Sequence, residues 1–143
     1  MLINKYLEEA EVKDCVYDEV EDLCTELIME VKGLEIEAFN VSNDESFKIG
    51  GKYIVTFNLL TSNIYNIPES LKTINVVSEI GYTCHCNVTG IIVFIDEENG
   101  YGVIDCGIYI KVELPVTQMF TIGKYVKADG RLDIKKAYCA LPK

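Results

Sequence analysis

The chain is poor in the parts from which most catalytic sites are built. It has one histidine, His85, and contains no Gly-x-Ser-x-Gly, no phosphate-binding Walker loop, no dinucleotide-type Gly-x-Gly-x-x-Gly and no His-Glu-x-x-His. A nucleophilic mechanism of the ordinary kind would need His85 as base beside Ser, Thr or Cys. The expectation is a protein without catalytic activity and without a cofactor. Long apolar runs are lacking too: the longest, Ile91–Ile95, is a quarter of the roughly 20 residues that a membrane helix needs. No basic segment precedes an apolar stretch at the N-terminus, as a secretory signal would require. These absences predict a soluble, cytoplasmic protein with no membrane partner.

Positive charge is scarce in the first third. Residues 1–50 carry 14 acidic side chains against four lysines, whereas residues 51–143 carry nine acids and nine bases. The whole net charge of −10 therefore resides in the front part. Such a concentration of negative potential favours a cationic partner and disfavours a phosphate backbone. The densest series is Glu8, Glu9, Glu11, Asp14, Asp18, Glu19, Glu21 and Asp22, offset only by Lys13. These eight residues are the candidate partner-binding set. A solubilising surface or charge-protected edge strands would explain them equally well.

What the chain does have is material for strands. Apolar residues make up 49% of its 143 residues, enough for a real core, and Val, Ile, Thr, Phe and nine Tyr suit a pleated, half-buried surface. Cys84 to Ile95 reads as a strand interrupted at Gly90, followed by an Asn99-Gly100 hairpin turn with both residues at positive φ. Tyr101–Cys106 returns, Gly107 breaks the run, and Ile108, Ile110 and Val112 alternate with polar partners. Phe120-Thr121-Ile122-Gly123-Lys124-Tyr125-Val126 then leads into a last extended segment.

The same order occurs about 74 residues earlier. Gly33 precedes the alternating Leu34, Ile36 and Ala38, and Phe47-Lys48-Ile49-Gly50-Gly51-Lys52-Tyr53 matches the Phe120 segment with one extra glycine. This is an internal repeat of two copies. The repeat bears on the first 30 residues, where Val12, Val16, Val20, Leu23 and Leu27 have helical spacing. Because the second copy forms a hairpin there, strands over Ala10–Tyr17 and Thr25–Val31 are favoured, with a helix as the alternative. Between the copies, Asn66 to Gly81 is the best helix candidate, Pro68 serving the first turn and Gly81 the stop. A short strand through Ile74–Val77 competes with it. The resulting organisation is an acidic β repeat over 1–65, a connector over 66–81 and a second β repeat over 82–143, packed as one unit.

Each copy thus reads as strand, hairpin, strand, Gly, strand, loop, strand. That pattern resembles the OB-fold, a small five-stranded barrel. The resemblance implies a mostly β protein of two tandem OB-like barrel or meander halves packed together, with a short helix or strand between them; one larger merged sandwich is equally compatible. It also implies ligand or nucleic-acid binding, with Tyr53, Phe57, Tyr109 or Tyr125 as stacking platforms. The basic group Lys124, Lys127, Arg131, Lys135 and Lys136 could support that, but reads better as the solvated face of an amphipathic strand.

The six cysteines (15, 24, 84, 86, 106 and 139) are expected as free thiols, because the core needs no staples. Cys84-His85-Cys86 is no metal site on its spacing: in a strand the two cysteines face one way and the imidazole the other. No metal is assigned. By composition, the small acidic chain is similar to immunity proteins that neutralise cationic toxins. The resemblance implies a protein-binding inhibitor whose acidic front engages a basic partner. An OB-like nucleic-acid or small-ligand binder is the alternative.

Overall fold

The computed structural model describes residues 6–18, 23–41, 46–79 and 82–137, with the side chains of 17, 18, 23, 24, 75–79, 82 and 83 outside the description. Nine strands follow one another: β1 (Glu8–Asp18), β2 (Leu23–Val31), β3 (Leu34–Asn40), β4 (Lys52–Asn66), β5 (Thr73–Glu79), β6 (Tyr82–Asp96), β7 (Tyr101–Asp105), β8 (Tyr109–Glu113) and β9 (Tyr125–Lys136). A single 3-10 turn at Thr117–Met119 is the one helical element they leave room for among the described residues. No helix there is long and apolar enough to cross a membrane.

The strand reading of the front part holds against its helical spacing. β1 and β2 form an antiparallel hairpin in which Val12 opposes Met29 and Cys15 opposes Leu27. The connector is a strand and not a helix: β5 pairs with β6, Ile74 opposite Val88. β-branched residues crowd Thr73-Ile74-Asn75-Val76-Val77, and the edge of β6 supplies the hydrogen bonds that a helix would otherwise make internally.

Turns fix the registers. The β2–β3 hairpin closes through Lys32 and Gly33, both left-handed at φ 50 and 79, as a two-residue primed turn requires. At the β6–β7 turn, residues 97–100, only Gly100 is left-handed, at φ 71, so the Asn99-Gly100 pair does not place both of its residues at positive φ. Asp96 holds this turn: its carboxylate accepts the Asn99 backbone N–H (3.1 Å) and side-chain amide (2.9 Å).

The pairing does not separate into two self-contained halves. The strand order is β1-β2-β3-β9-β4-β8-β7-β6-β5, with β1 also on β4 and β6 also on β9. β1, β2, β3, β9 and β4 therefore close one circuit, and β4, β8, β7, β6 and β9 close a second. β4 and β9 belong to both and pair with each other from Val55↔Lys136 to Asn66↔Val126. Each long strand also takes its third strand from the opposite repeat: β3 runs parallel to β9, and β8 parallel to β4.

One contiguous core fills the interior. Along β4 the buried residues Val55, Phe57 and Leu59 alternate with partly exposed neighbours. Leu132 and Ile134 of β9 lie opposite Leu59 and Phe57. Leu27, Met29 and Ile36 complete the interior from the front part, and Ile104, Ile108 and Ile110 from the back. Alternation leaves Thr56, Asn58, Asp133 and Lys135 on the other face of the same strands.

Candidate functional site

That outer face carries a cleft of about 340 Å³. β4 and β9 form its floor, where Thr56 opposes Lys135 and Asn58 opposes Asp133. β8 adds Lys111, in register with Asn58. One wall is aromatic: Tyr6, from the segment before β1, with Phe94 of β6 and Tyr101 of β7. Tyr6 lies 5.9 Å from Phe94 and 5.2 Å edge-on from Tyr109, and Phe94 lies 6.0 Å from Tyr101. Such offset and tilted pairs stiffen one another.

The cleft's charge is resolved unevenly. Arg131 holds the Asp133 carboxylate from two nitrogens, Nε at 2.6 Å and Nη2 at 3.1 Å, and lies 4.4 Å over the Phe39 ring. Lys111 sits 4.2 Å over the Tyr101 ring. Among the described residues neither Lys111 nor Lys135 forms an ion pair. The cleft therefore combines flat apolar surface with two lysines available to an anion.

The described members of the acidic series have different surroundings. Glu8 is buried at 3% exposure, where it accepts the Tyr109 backbone N–H at 2.8 Å and meets the Lys32 ammonium at 3.3 Å. Glu9 is exposed. Glu11 pairs with Lys13 at 3.1 Å, and this contact raises the lysine's affinity for its proton. Asp14 accepts the backbone N–H of Cys15 at 2.8 Å. Asp18 ends β1 with its side chain undescribed, and Glu19, Glu21 and Asp22 lie outside the described residues. A different acidic alignment emerges from the registers: Glu11 opposes Glu30, and Glu30 opposes Glu35, across three adjacent strands.

Of the aromatic residues singled out in the sequence, Phe57 reaches the cleft, but as core, with 1% of its surface exposed. Tyr109 supports the wall through Tyr6. Tyr53 is structural: its hydroxyl accepts from the Lys48 N–H and donates to the Ser46 carbonyl, and its ring meets Phe47 edge-on at 5.0 Å. Tyr125 begins β9 outside the cleft lining. Tyr101 and Lys111 were within reach of strand alternation, which sets them opposite core residues. Tyr6 gave no signal, because only the tertiary fold lays it across β6 and β8.

The cysteines depart from expectation. Cys84, Cys86 and Cys106 are free and buried, but Cys15 is disulfide-bonded to a partner outside the described side chains. Bridging depends on whether two β-carbons come within reach, which the fold decides and composition does not. Burial pushes the Cys86 and Cys106 thiols up to about 12. Cys84 does not share a face with Cys86. Its backbone is left-handed, φ 62, which breaks the alternation. Cys86 joins the apolar core, while the Cys84 sulfur donates to Glu26 Oε1 at 3.4 Å. Desolvation, with Glu26 nearby, pushes the Cys84 thiol far above its ordinary value. Glu37 completes this group and is itself raised, by burial and by Glu26. His85, half-buried, stands opposite Arg131 and takes no part. No family model matches this chain, nor does any curated protein or solved structure.

Proposed function

We propose that this chain is a non-catalytic binding protein whose cleft takes a small ligand with a flat ring and an anionic group. The observation that carries the reading is one cleft lined by the Tyr6–Phe94–Tyr101 aromatic wall, by Thr56 and Asn58 as hydrogen-bonding groups, and by Lys111 and Lys135, which form no ion pair among the described residues. A largely apolar recess with a few convergent polar groups is the usual form of a small-molecule site, and about 340 Å³ suits a ligand of nucleotide size. The two closed circuits of five strands fit the OB-like reading, in which a sheet face binds ring-bearing ligands. The net charge of −10 favours a monomeric ligand over a long polyphosphate strand, whose binding relies on many cations.

Calorimetric titration with a panel of nucleoside mono- and diphosphates tests the reading. Binding should weaken in Tyr101→Ala by about 1–3 kcal/mol, the value of one stacked ring. Lys111→Ala should lower both the affinity and its salt dependence. Binding unaffected by either substitution, or no binding at millimolar ligand, sinks the proposal.

A second reading retains the acidic front as the surface for a basic protein, in the manner of an immunity-type inhibitor of a toxin. It is favoured by the Glu11–Glu30–Glu35 row, since like charges set directly opposite one another oppose folding, and Lys13 beside Glu11 and Glu30 is one cation for three carboxylates. A cationic partner should then associate more slowly as salt rises, and more slowly still with Glu30→Gln/Glu35→Gln. An association rate indifferent to salt would remove this reading.

A further inference from the structure

We propose that Glu26, Glu37 and Cys84 form a zinc-class divalent metal site, separate from the cleft and not dependent on its function. One donor atom from each residue lies within 4.8 Å of the other two. The Cys84 sulfur is 3.4 Å from Glu26 Oε1. A tetrahedral zinc with Zn–S near 2.3 Å and Zn–O near 2.1 Å has donor–donor separations of roughly 3.4–3.6 Å. One edge of the tetrahedron is therefore already formed. The other two are no longer than 4.8 Å and would shorten by movement of Glu37, the half-buried member, whose carboxylate also accepts the Cys84 backbone N–H.

The three residues come from three strands, β2, β3 and β6, so the fold assembles them and sequence proximity does not. They meet where β9 exchanges its neighbour, pairing with β6 through Arg131 and with β3 from Asp133. Glu26 and Cys84 are more than nine-tenths buried, at 7% and 0% exposure. Two carboxylates and a sulfur at this spacing repel one another once ionised. A divalent cation answers that arrangement directly. Sulfur beside oxygen donors selects zinc-class ions over calcium or magnesium, which take oxygen alone. Binding replaces the Cys84 S–H bond with a metal–sulfur bond and releases one proton to solvent. Three protein donors leave a fourth position for water on the Glu37 side.

Cobalt(II) titration of the metal-stripped full chain reads the site directly. Ligation should produce a sulfur-to-cobalt charge-transfer band and tetrahedral visible bands that zinc then displaces. Cys84→Ser should abolish the charge-transfer band. Glu37→Gln, at a half-buried position where folding should survive, should weaken cobalt binding by at least about tenfold, the least that even an outer-shell partner contributes. Zinc should raise the melting temperature of the wild type more than that of Glu37→Gln. No charge-transfer band in the wild type would overturn the proposal, leaving a plain thiol–carboxylate hydrogen bond. A band that survives in Cys84→Ser and vanishes in Cys86→Ser would overturn it too, since the metal would then belong to the Cys86–Cys106 thiols.

Discussion

Glu8 shows how much a single position can change in meaning between chain and fold. In the sequence it opens an acidic run; in the structure it lies beneath Lys32 and accepts the Tyr109 backbone N–H. Glu8→Ala would leave that N–H without its acceptor, so chemical denaturation should show a loss of about 1–3 kcal/mol. Asp105 shows the same logic in its pH dependence. Burial tends to raise its carboxyl, but the Lys72 ammonium at 2.8 Å and the Gly107 N–H outweigh burial and lower it. A carboxyl lowered on folding stabilises the fold above its unfolded pKa, roughly 3.9. That contribution is lost as pH falls through the lower folded value. Carboxyl titration by NMR should find Asp105 below the ordinary range and returning towards it in Lys72→Ala.

At the scale of elements, Gly90 marks a change of partner. Up to Thr89, one edge of β6 faces β5; from Ile91 it faces β7. The glycine falls where the neighbour changes, within the one nine-stranded sheet. A Cβ at Gly90 would strike the Asp105 carbonyl and come within 2.7 Å of the Ile104 side chain. Gly90→Ala should therefore cost about 1–3 kcal/mol by overpacking, seen as a lower denaturation midpoint with an unchanged slope. The acidic row across β1, β2 and β3 predicts the opposite sign. Glu30→Gln removes the central charge and should stabilise the protein by up to about 1 kcal/mol, an effect that shrinks as salt screens the exposed pair.

For the whole molecule, the decisive fact is that β4 and β9 serve both circuits. Neither repeat owns a complete set of partners: β8 needs β4 from the front, and β3 needs β9 from the back. Core residues such as Phe57, Leu132 and Ile134 are likewise supplied jointly. A fragment spanning 82–143 would expose the apolar face of β9 and the edge that β4 covers. It should be unfolded by circular dichroism and by amide NMR dispersion, while the full chain should unfold in one cooperative transition.

The sequence alone determined that this chain is made of strands, where they bend and in what order they recur. Period-two alternation, β-branched residues and glycines at turns act locally, and each leaves its mark within a few residues. The helical spacing of Val12 to Leu27 and the Pro68 start were local signals as well, and strand pairing overrode both. Only the tertiary structure decided which strands exchange partners, that Tyr6 completes an aromatic wall, and that Cys84 leaves Cys86 for Glu26 and Glu37. These contacts, such as Tyr6 with Tyr109 and Cys84 with Glu26, join residues far apart in the chain, and no local pattern encodes them. They exist because two incomplete repeats bury their apolar faces only by sharing β4 and β9.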